Sequence, residues 1–203
     1  MPFKDLPQGT THSENDGCGI KEHNKEIYLI TDTHFNHKKM VEYCGRPENF
    51  DELIWASLES LPADCTLIHL GDICIGKDAE VHERIKKLPY EKILVKGNHD
   101  KKSDKWYRER GWDKVVLEMT GHYEGKYMTF SHIPIAKIKN MNIHGHFHNS
   151  LHRILEGKWV VEGEKERNEE AVKIYNPKLH KLLAIEFTNY QAVSLKEFLD
   201  KNI

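Results

Sequence analysis

The sequence lacks several features that would settle its class at once. It has no run of eighteen apolar residues, so no membrane-spanning helix is expected. Its first ten residues, MPFKDLPQGT, contain no apolar stretch of the secretory type, which makes the cytoplasm the default expectation. Cysteine is scarce. Cys18, Cys44, Cys65 and Cys74 form no CxxC pair and no compact framework, and in a reducing cytosol they would stay thiols. An excess of one charge sign is also missing: 30 Lys and Arg face 32 Asp and Glu, for a net charge of −2. That balance disfavours a long basic surface for extended nucleic acid. It does not disfavour a small phosphate ester, which a local patch or bound cations can attract. Internal repeats and low-complexity segments are absent.

What is present fits one globular domain. The chain has 203 residues, 38% hydrophobic and 31% charged, enough to bury a real core. Residues 1–25 are polar and rich in turn formers, and read as a flexible arm. A metal site built from His12, Cys18 and His23 is the weaker alternative there, because the spacing matches no zinc pattern. Residues 26–203 form the expected domain. The apolar run Ile27–Ile30 predicts a strand buried on both faces. Asp51 is placed to cap a helix carrying Ile54, Leu58 and Leu61, stopped by Pro62. Residues 66–70 and 93–95 read as further strands. Val81, Ile85 and Leu88 mark a helix, and Ser103 opens another that closes at Gly111. In the second half, residues 115–119, 127–130, 141–143, 172–175 and 182–187 read as strands. Residues 162–170 form a charged run, expected to be a solvated loop. Ser194 and Glu197 have capping-box spacing ahead of a last helix. The order, βαβαβ followed by mostly β, predicts an α/β core with a more antiparallel second sheet.

Histidine is plentiful, with fourteen residues, and the polar clusters recur at one kind of place. Asp32 and His34 follow the first strand. Asp72 follows the second, and Asn98, His99 and Asp100 follow the third. His132 follows residues 127–130, and His146 and His148 follow residues 141–143. In α/β sheets ligands bind beyond the carboxyl ends of the strands, so these clusters should converge. Carboxylates, imidazoles and an amide oxygen suit divalent manganese, iron, zinc or nickel. A pair of such ions can clamp an in-line displacement at phosphorus, and a carboxylate with two oxygens is a natural bridge. Gly71, Gly97 and Gly145 precede three of the motifs and should let the backbone come close to an ion.

The ordered set Asp32-Thr33-His34, Gly71-Asp72, Gly97-Asn98-His99-Asp100, Ser131-His132 and Gly145-His146-Phe147-His148 resembles the calcineurin-like metallophosphoesterases. The segments DTHFNHKKMVEYCGRP and FTNYQAVSLKEFL look like a compact bacterial and phage branch of predicted phosphoesterases. The resemblance implies two packed mixed sheets flanked by helices, and a site with two divalent ions, manganese foremost. It implies that Asp32, His34 and His148 hold one ion, that Asn98, His132 and His146 hold the other, and that Asp72 bridges them. His99 would bind no metal and would face the leaving-group oxygen while a metal-held hydroxide attacks phosphorus. Many members place an acid three residues after the bridge to orient this histidine. Ile75 stands there instead, and Asp100 is the carboxylate available to replace it.

Other residues carry competing readings. His37 and Arg46 follow the first motif in a segment expected to line the cleft. Arg46 could grip a phosphate with two parallel hydrogen bonds; the alternative is an ordinary surface pair. His144 is expected to be structural or to support a ligand. His69, Cys74, Trp55 and Trp106 are expected to be packing residues. About thirty residues separate Asp100 from His132, which leaves little room for a capping domain. The expected substrate is therefore a small phosphodiester, such as a cyclic or short nucleotide. A nuclease acting on DNA or RNA is the runner-up enzyme, and a non-catalytic scaffold of the same fold is the reading from another class.

Overall fold

A computed structural model describes residues 25–160 and 162–200. The arm expected over residues 1–25, and the His12, Cys18 and His23 alternative, lie outside the described residues but for Lys25.

The chain runs through β1 (Ile27–Ile30), α1 (Met40–Cys44), α2 (Phe50–Glu59), β2 (Thr66–His69), α3 (Asp78–Lys86), β3 (Glu91–Val95), α4 (Asp104–Arg108) and β4 (Lys114–Val116). It continues through β5 (Glu118–Tyr123), β6 (Lys126–Ser131), β7 (Met141–His144), α5 (Leu151–Leu155), α6 (Glu164–Ile174), β8 (His180–Leu182), β9 (Val193–Ser194) and α7 (Leu195–Asp200). The first sheet has the order β4-β3-β2-β1-β9, with β9 antiparallel to its neighbour and the other pairs parallel. The second has the order β5-β6-β7-β8. Only its β5–β6 pair is antiparallel, so this sheet is less antiparallel than expected. No helix among the described residues is long and apolar enough to cross a membrane.

Two core layers explain the architecture. Leu29, Ile68 and Val95 of the first sheet pack against Met128, Phe130 and Ile143 of the second. On the other face, Ile30, Leu67 and Leu94 meet Ile54, Leu58, Val81 and Ile85 from α2 and α3. A smaller cluster, Phe147, Ile154 and Ala171 with Leu182, seats α5 and α6 by the second sheet. The result is two packed mixed sheets flanked by helices.

Some local expectations change. The strand over residues 115–119 divides at Leu117, which is 75% exposed: the chain leaves the first sheet there and enters the second. Asp51 does not cap α2, which begins at Phe50; its carboxylate accepts from the Asn36 amide (3.1 Å). The charged run at 162–170 is not a loop, and residues 172–175 are not a strand. They make up most of α6 and the residue that ends it. The buried stripe of α6 is Glu164, Asn168 and Ala171, a helical spacing whose first two members are polar, so no apolar period announced it. Residues 182–187 divide into the end of β8 and a 3-10 turn, Ile185–Thr188. The caps at Ser103 and Ser194 form as expected, accepting from the amides of Trp106 (3.2 Å) and Glu197 (3.1 Å).

Candidate active site

Three parallel strands of the first sheet and two of the second end at one edge, and the loops that leave them interlock. The loop after β1 runs beside the loop after β2, with the amides of Asp32, His34 and Phe35 donating to the carbonyls of Gly71, Asp72 and Ile73 (2.9, 3.0 and 2.9 Å). The sheets are stitched together where the His146 amide donates to Asp32 Oδ2 (3.0 Å) and the His132 ring donates to the Leu70 carbonyl (2.7 Å). Asp32, His34, Asp72, His146 and His148 all take left-handed backbone, with φ between 46° and 74°. A residue with a side chain adopts that conformation at a cost of about 1–3 kcal/mol, and such strain gathers at functional sites. The glycines stand where these loops approach each other closely. A β-carbon on Gly97 would overlap the Asp72 carboxylate, and one on Gly145 would overlap Thr31 and Asp32.

Asp32 and Asp72 each spend one carboxylate oxygen away from the histidine rings and turn the other toward them. Asp32 Oδ2 accepts from Thr31 Oγ1 (2.6 Å) and from the His146 amide, while Oδ1 is buried without a donor. That bare oxygen lies 3.9 Å from His34 Nε2 and 3.7 Å from His148 Nε2. Asp72 Oδ1 accepts the His99 amide (2.8 Å). Its Oδ2 lies 3.7 Å from His34 Nε2 and 3.3 Å from His132 Nε2. Around His132 Nε2 stand Asn98 Oδ1 (3.0 Å) and His146 Nδ1 (3.2 Å). The His132 ring spends its Nδ1 hydrogen on Leu70, so its Nε2 faces Asp72 with a proton when the ring is charged and with a lone pair when it is neutral. Two triads result, Asp32-His34-His148 and Asp72-His132-His146, each with its ligand atoms within 4.8 Å of one another. Buried carboxylate oxygens, imidazole nitrogens and an amide oxygen converging in this way make a donor set suited to a divalent cation. Asp72 Oδ2 lies beside a histidine of each set, His34 and His132.

Proton affinities report the same demand for positive charge. Burial lowers a histidine's pKa, yet His132 is pushed up to about 9 by Asp72 and Asp32. His148 is raised against burial by Asp32 and Glu186. Burial would raise Asp72, but His132, then His34 and the His99 amide, hold it below the usual carboxylate range. Burial and its imidazole neighbours push His34 well down and His146 to about 3.

The remaining predicted residues are placed as follows. The His99 side chain is 44% exposed and faces the cleft, with Nε2 3.9 Å from Asp72 Oδ2. Asp100 does not orient it. Both Asp100 oxygens are spent on backbone amides, Oδ2 on Asp72 and Gly97 (2.8 Å each) and Oδ1 on Ile73 (3.2 Å). His37 lines the cleft edge-on to His34, with ring centroids 5.7 Å apart. Arg46 does not line it: the side chain is fully buried behind the site. Its Nε and Nη2 donate to Glu186 Oε1 (2.9 and 2.7 Å), Nη1 to the Thr33 carbonyl (3.0 Å) and Nη2 to the Asp32 carbonyl (2.8 Å). A guanidinium so committed has no fork left for a phosphate. His69 is a satisfied core residue: Nδ1 accepts the Gly71 amide (3.1 Å), and Nε2 pairs with Thr33 (3.0 Å). His144 is buried with its Nδ1 on the Gly145 carbonyl (2.9 Å) and its Nε2 unpartnered. Trp55 stacks on Phe35 in the core at 4.2 Å.

Glu186 escaped the sequence reading. With both Arg46 Nη2 hydrogens spent, His148 Nδ1, 3.3 Å from Glu186 Oε1, carries the proton and donates it. The His148 Nε2 lone pair is then aimed at Asp32. Burial would raise Glu186, but His148 and Arg46 hold it at about 2. One signal was available: a lone acid inside the apolar segment LLAIEF. The cleft measures about 430 Å³. His37, Met40 and Tyr43 line it on one side, and Arg153, Arg167 and Asn168 of α5 and α6 on the other.

The sequence profile of the calcineurin-like phosphoesterases matches residues 25–188. The chain belongs to this family. As a calcineurin-like phosphoesterase it is a hydrolase of a metal-dependent kind, and the two triads are its candidate ligand clusters. It is 28% identical over 180 residues to the uncharacterized protein MJ1445 of Methanocaldococcus jannaschii, covering 84% of this chain and 88% of that one. It is similar in structure to AQ665 of Aquifex aeolicus, a protein of unknown function. That match has a TM-score of 0.60 and 26% identity, over 89% of this chain and 100% of the other.

Proposed function

We propose that this phosphoesterase is dinuclear and hydrolyses small phosphate esters, with phosphodiesters such as cyclic or short nucleotides as its preferred substrates. The observation that carries the reading is the meeting of the two clusters at Asp72 Oδ2, 3.7 Å from His34 and 3.3 Å from His132. Asp32, His34 and His148 would hold one divalent ion, and Asn98, His132 and His146 the other, with Asp72 common to both. Manganese is the favoured metal, with iron, zinc or nickel as alternatives. Bound there, the ions would supply a hydroxide nucleophile at neutral pH and offset charge on the phosphoryl oxygens.

The chain's own residues do the rest. Asp32 and Asp72 keep one oxygen each on Thr31 and on backbone amides, so the other oxygen of each stays aimed at the clusters. Glu186 holds the His148 ring by its Nδ1 hydrogen, and Arg46 holds Glu186 in turn. His99 stands at the cleft wall, where its ring can donate a hydrogen bond or a proton to the departing alkoxide. His37 and Tyr43, edge-on with centroids 6.1 Å apart, offer a nucleobase an aromatic margin. A cleft of about 430 Å³ is in the range for a small ligand. The wall formed by α5 and α6 favours such a substrate over the extended polymer of the nuclease alternative. We place the enzyme in the cytoplasm, where the cysteines stay thiols.

The test is elemental analysis of the metal-saturated protein together with hydrolysis of bis-p-nitrophenyl phosphate and a panel of cyclic and short nucleotides. Two ions per chain are expected, with activity lost to a chelator and restored by manganese. A metal-saturated protein that hydrolyses no ester in the panel would support the scaffold reading. An active protein with one ion would end the dinuclear one.

A further inference from the structure

Helix α6 buries a polar stripe, and a buried polar group needs a partner. Glu164 has several: Arg153 donates from Nη1 (2.8 Å) and Nη2 (2.6 Å), and the Val160 amide adds a third bond (2.8 Å). One turn on, Asn168 is 7% exposed, and its Oδ1 is buried with no donor. It lines the same cleft as His146. His146 shows the complementary deficit: Nδ1 faces His132 Nε2 at 3.2 Å, and Nε2 is buried with no partner. One amide oxygen lacks a donor, and one ring nitrogen lining the same cleft lacks a partner.

We propose that Asn168 is the positioning residue of His146. Its Oδ1 accepts the Nε2 hydrogen, which fixes the tautomer whose Nδ1 lone pair faces His132 and Asp72. The pairing satisfies both orphaned atoms and makes α6 a support of the second ligand cluster, as Glu186 supports the first. The contact is made by the side chain of a helix inserted between β7 and β8, so it couples the cleft wall to the site. The proposal rests on the ligand role given above to His146, and its test needs no substrate.

The test has two arms on the full chain. In the first, the ¹⁵N shifts of the His146 ring are measured in metal-free wild-type protein at pH 7.5. A protonated Nε2 with an unprotonated Nδ1 is expected; the opposite tautomer overturns the proposal. In the second, zinc is titrated by calorimetry into wild type, Asn168→Leu and Asn168→Asp. Leucine keeps the volume but accepts no hydrogen bond, whereas aspartate still accepts one. Asn168→Leu should lose about 10–100-fold in affinity at one site and little at the other, and Asn168→Asp should stay within a few-fold of wild type. Wild-type affinities at both sites in Asn168→Leu would also overturn it. If Asn168→Leu fails to fold, the wild-type ring shifts decide alone. A wild type that shows the Nε2 tautomer but binds no zinc upholds the Asn168 contact and refutes the ligand set instead.

Discussion

Replacing Arg46 by leucine tests the largest difference between the sequence reading and the folded site. The Arg46 and Glu186 side chains are 0% and 4% exposed, so solvent screens their pairing little. Leucine removes the guanidinium and leaves the Glu186 carboxylate buried, with the His148 ring as its remaining partner on Oε1. It also strips the Thr33 and Asp32 carbonyls of their donors. Breaking a buried ion pair from one side typically costs about 3–5 kcal/mol, because a charge is stranded. At about 2–4 °C per kcal/mol for a chain of this size, the melting temperature should fall by roughly 6–20 °C. Removing the charge as well, in Arg46→Leu/Glu186→Leu, should recover part of the loss, and the double-mutant cycle measures how much. A substrate-gripping arginine at the surface behaves differently: its loss would raise KM and change stability within about 0.5 kcal/mol. Urea and thermal unfolding followed by circular dichroism separate the two. An Arg46→Leu protein within about 1 kcal/mol of wild type, with a raised KM, would refute the buried strut.

Glu186→Gln keeps the shape but weakens the grip on His148, so one metal site should lose about 10–100-fold in affinity by calorimetry while the other holds; equal losses at both would count against the pairing. Because the folded pKa of His132 is raised, its proton stabilises the metal-free protein fully below about pH 6.5, and that stabilisation is lost as pH rises through about 9. A divalent ion competes with this proton, so its affinity should rise about tenfold per pH unit from pH 7 to 9 and then level off, and a flat profile would mean His132 carries no such proton. His99→Ala should keep its metal and most of its activity on p-nitrophenyl esters, but lose about 10²–10⁴-fold on nucleotide esters with alkoxide leaving groups; equal losses on both would reduce His99 to a stabiliser of the phosphoryl oxygens. Gly97→Ala drives a methyl group into the Asp72 carboxylate, which should cost about 1–3 kcal/mol and disturb metal binding at both clusters; an unperturbed double site would show that the loops can part.

The sequence by itself determined the parts of this protein that rest on local pattern. Apolar runs over Ile27–Ile30 and residues 93–95, helical spacing at Ile54 and Leu58, and the serine caps each act within a few residues of chain. The polar residues just past the first three strand ends could therefore be placed at one edge before any coordinates, because parallel strands share their carboxyl end; that β6 and β7 end at the same edge follows from their parallel pairing in the second sheet. Only the tertiary structure decided what holds those residues in aim. Glu186 meets Arg46 across 140 positions, and its one trace was an acid in an apolar segment. Asp100, adjacent to His99 in sequence, turns away because three backbone amides claim its oxygens. Helix α6 was unreadable because its inward face carries Glu164 and Asn168, whose burial is tolerable only with Arg153 and, as proposed, His146 beside them. Hydrophobic burial leaves a period in the sequence because it is non-directional and needs only a side. A buried hydrogen bond is directional and needs a particular partner, and that partner exists only once the chain has folded.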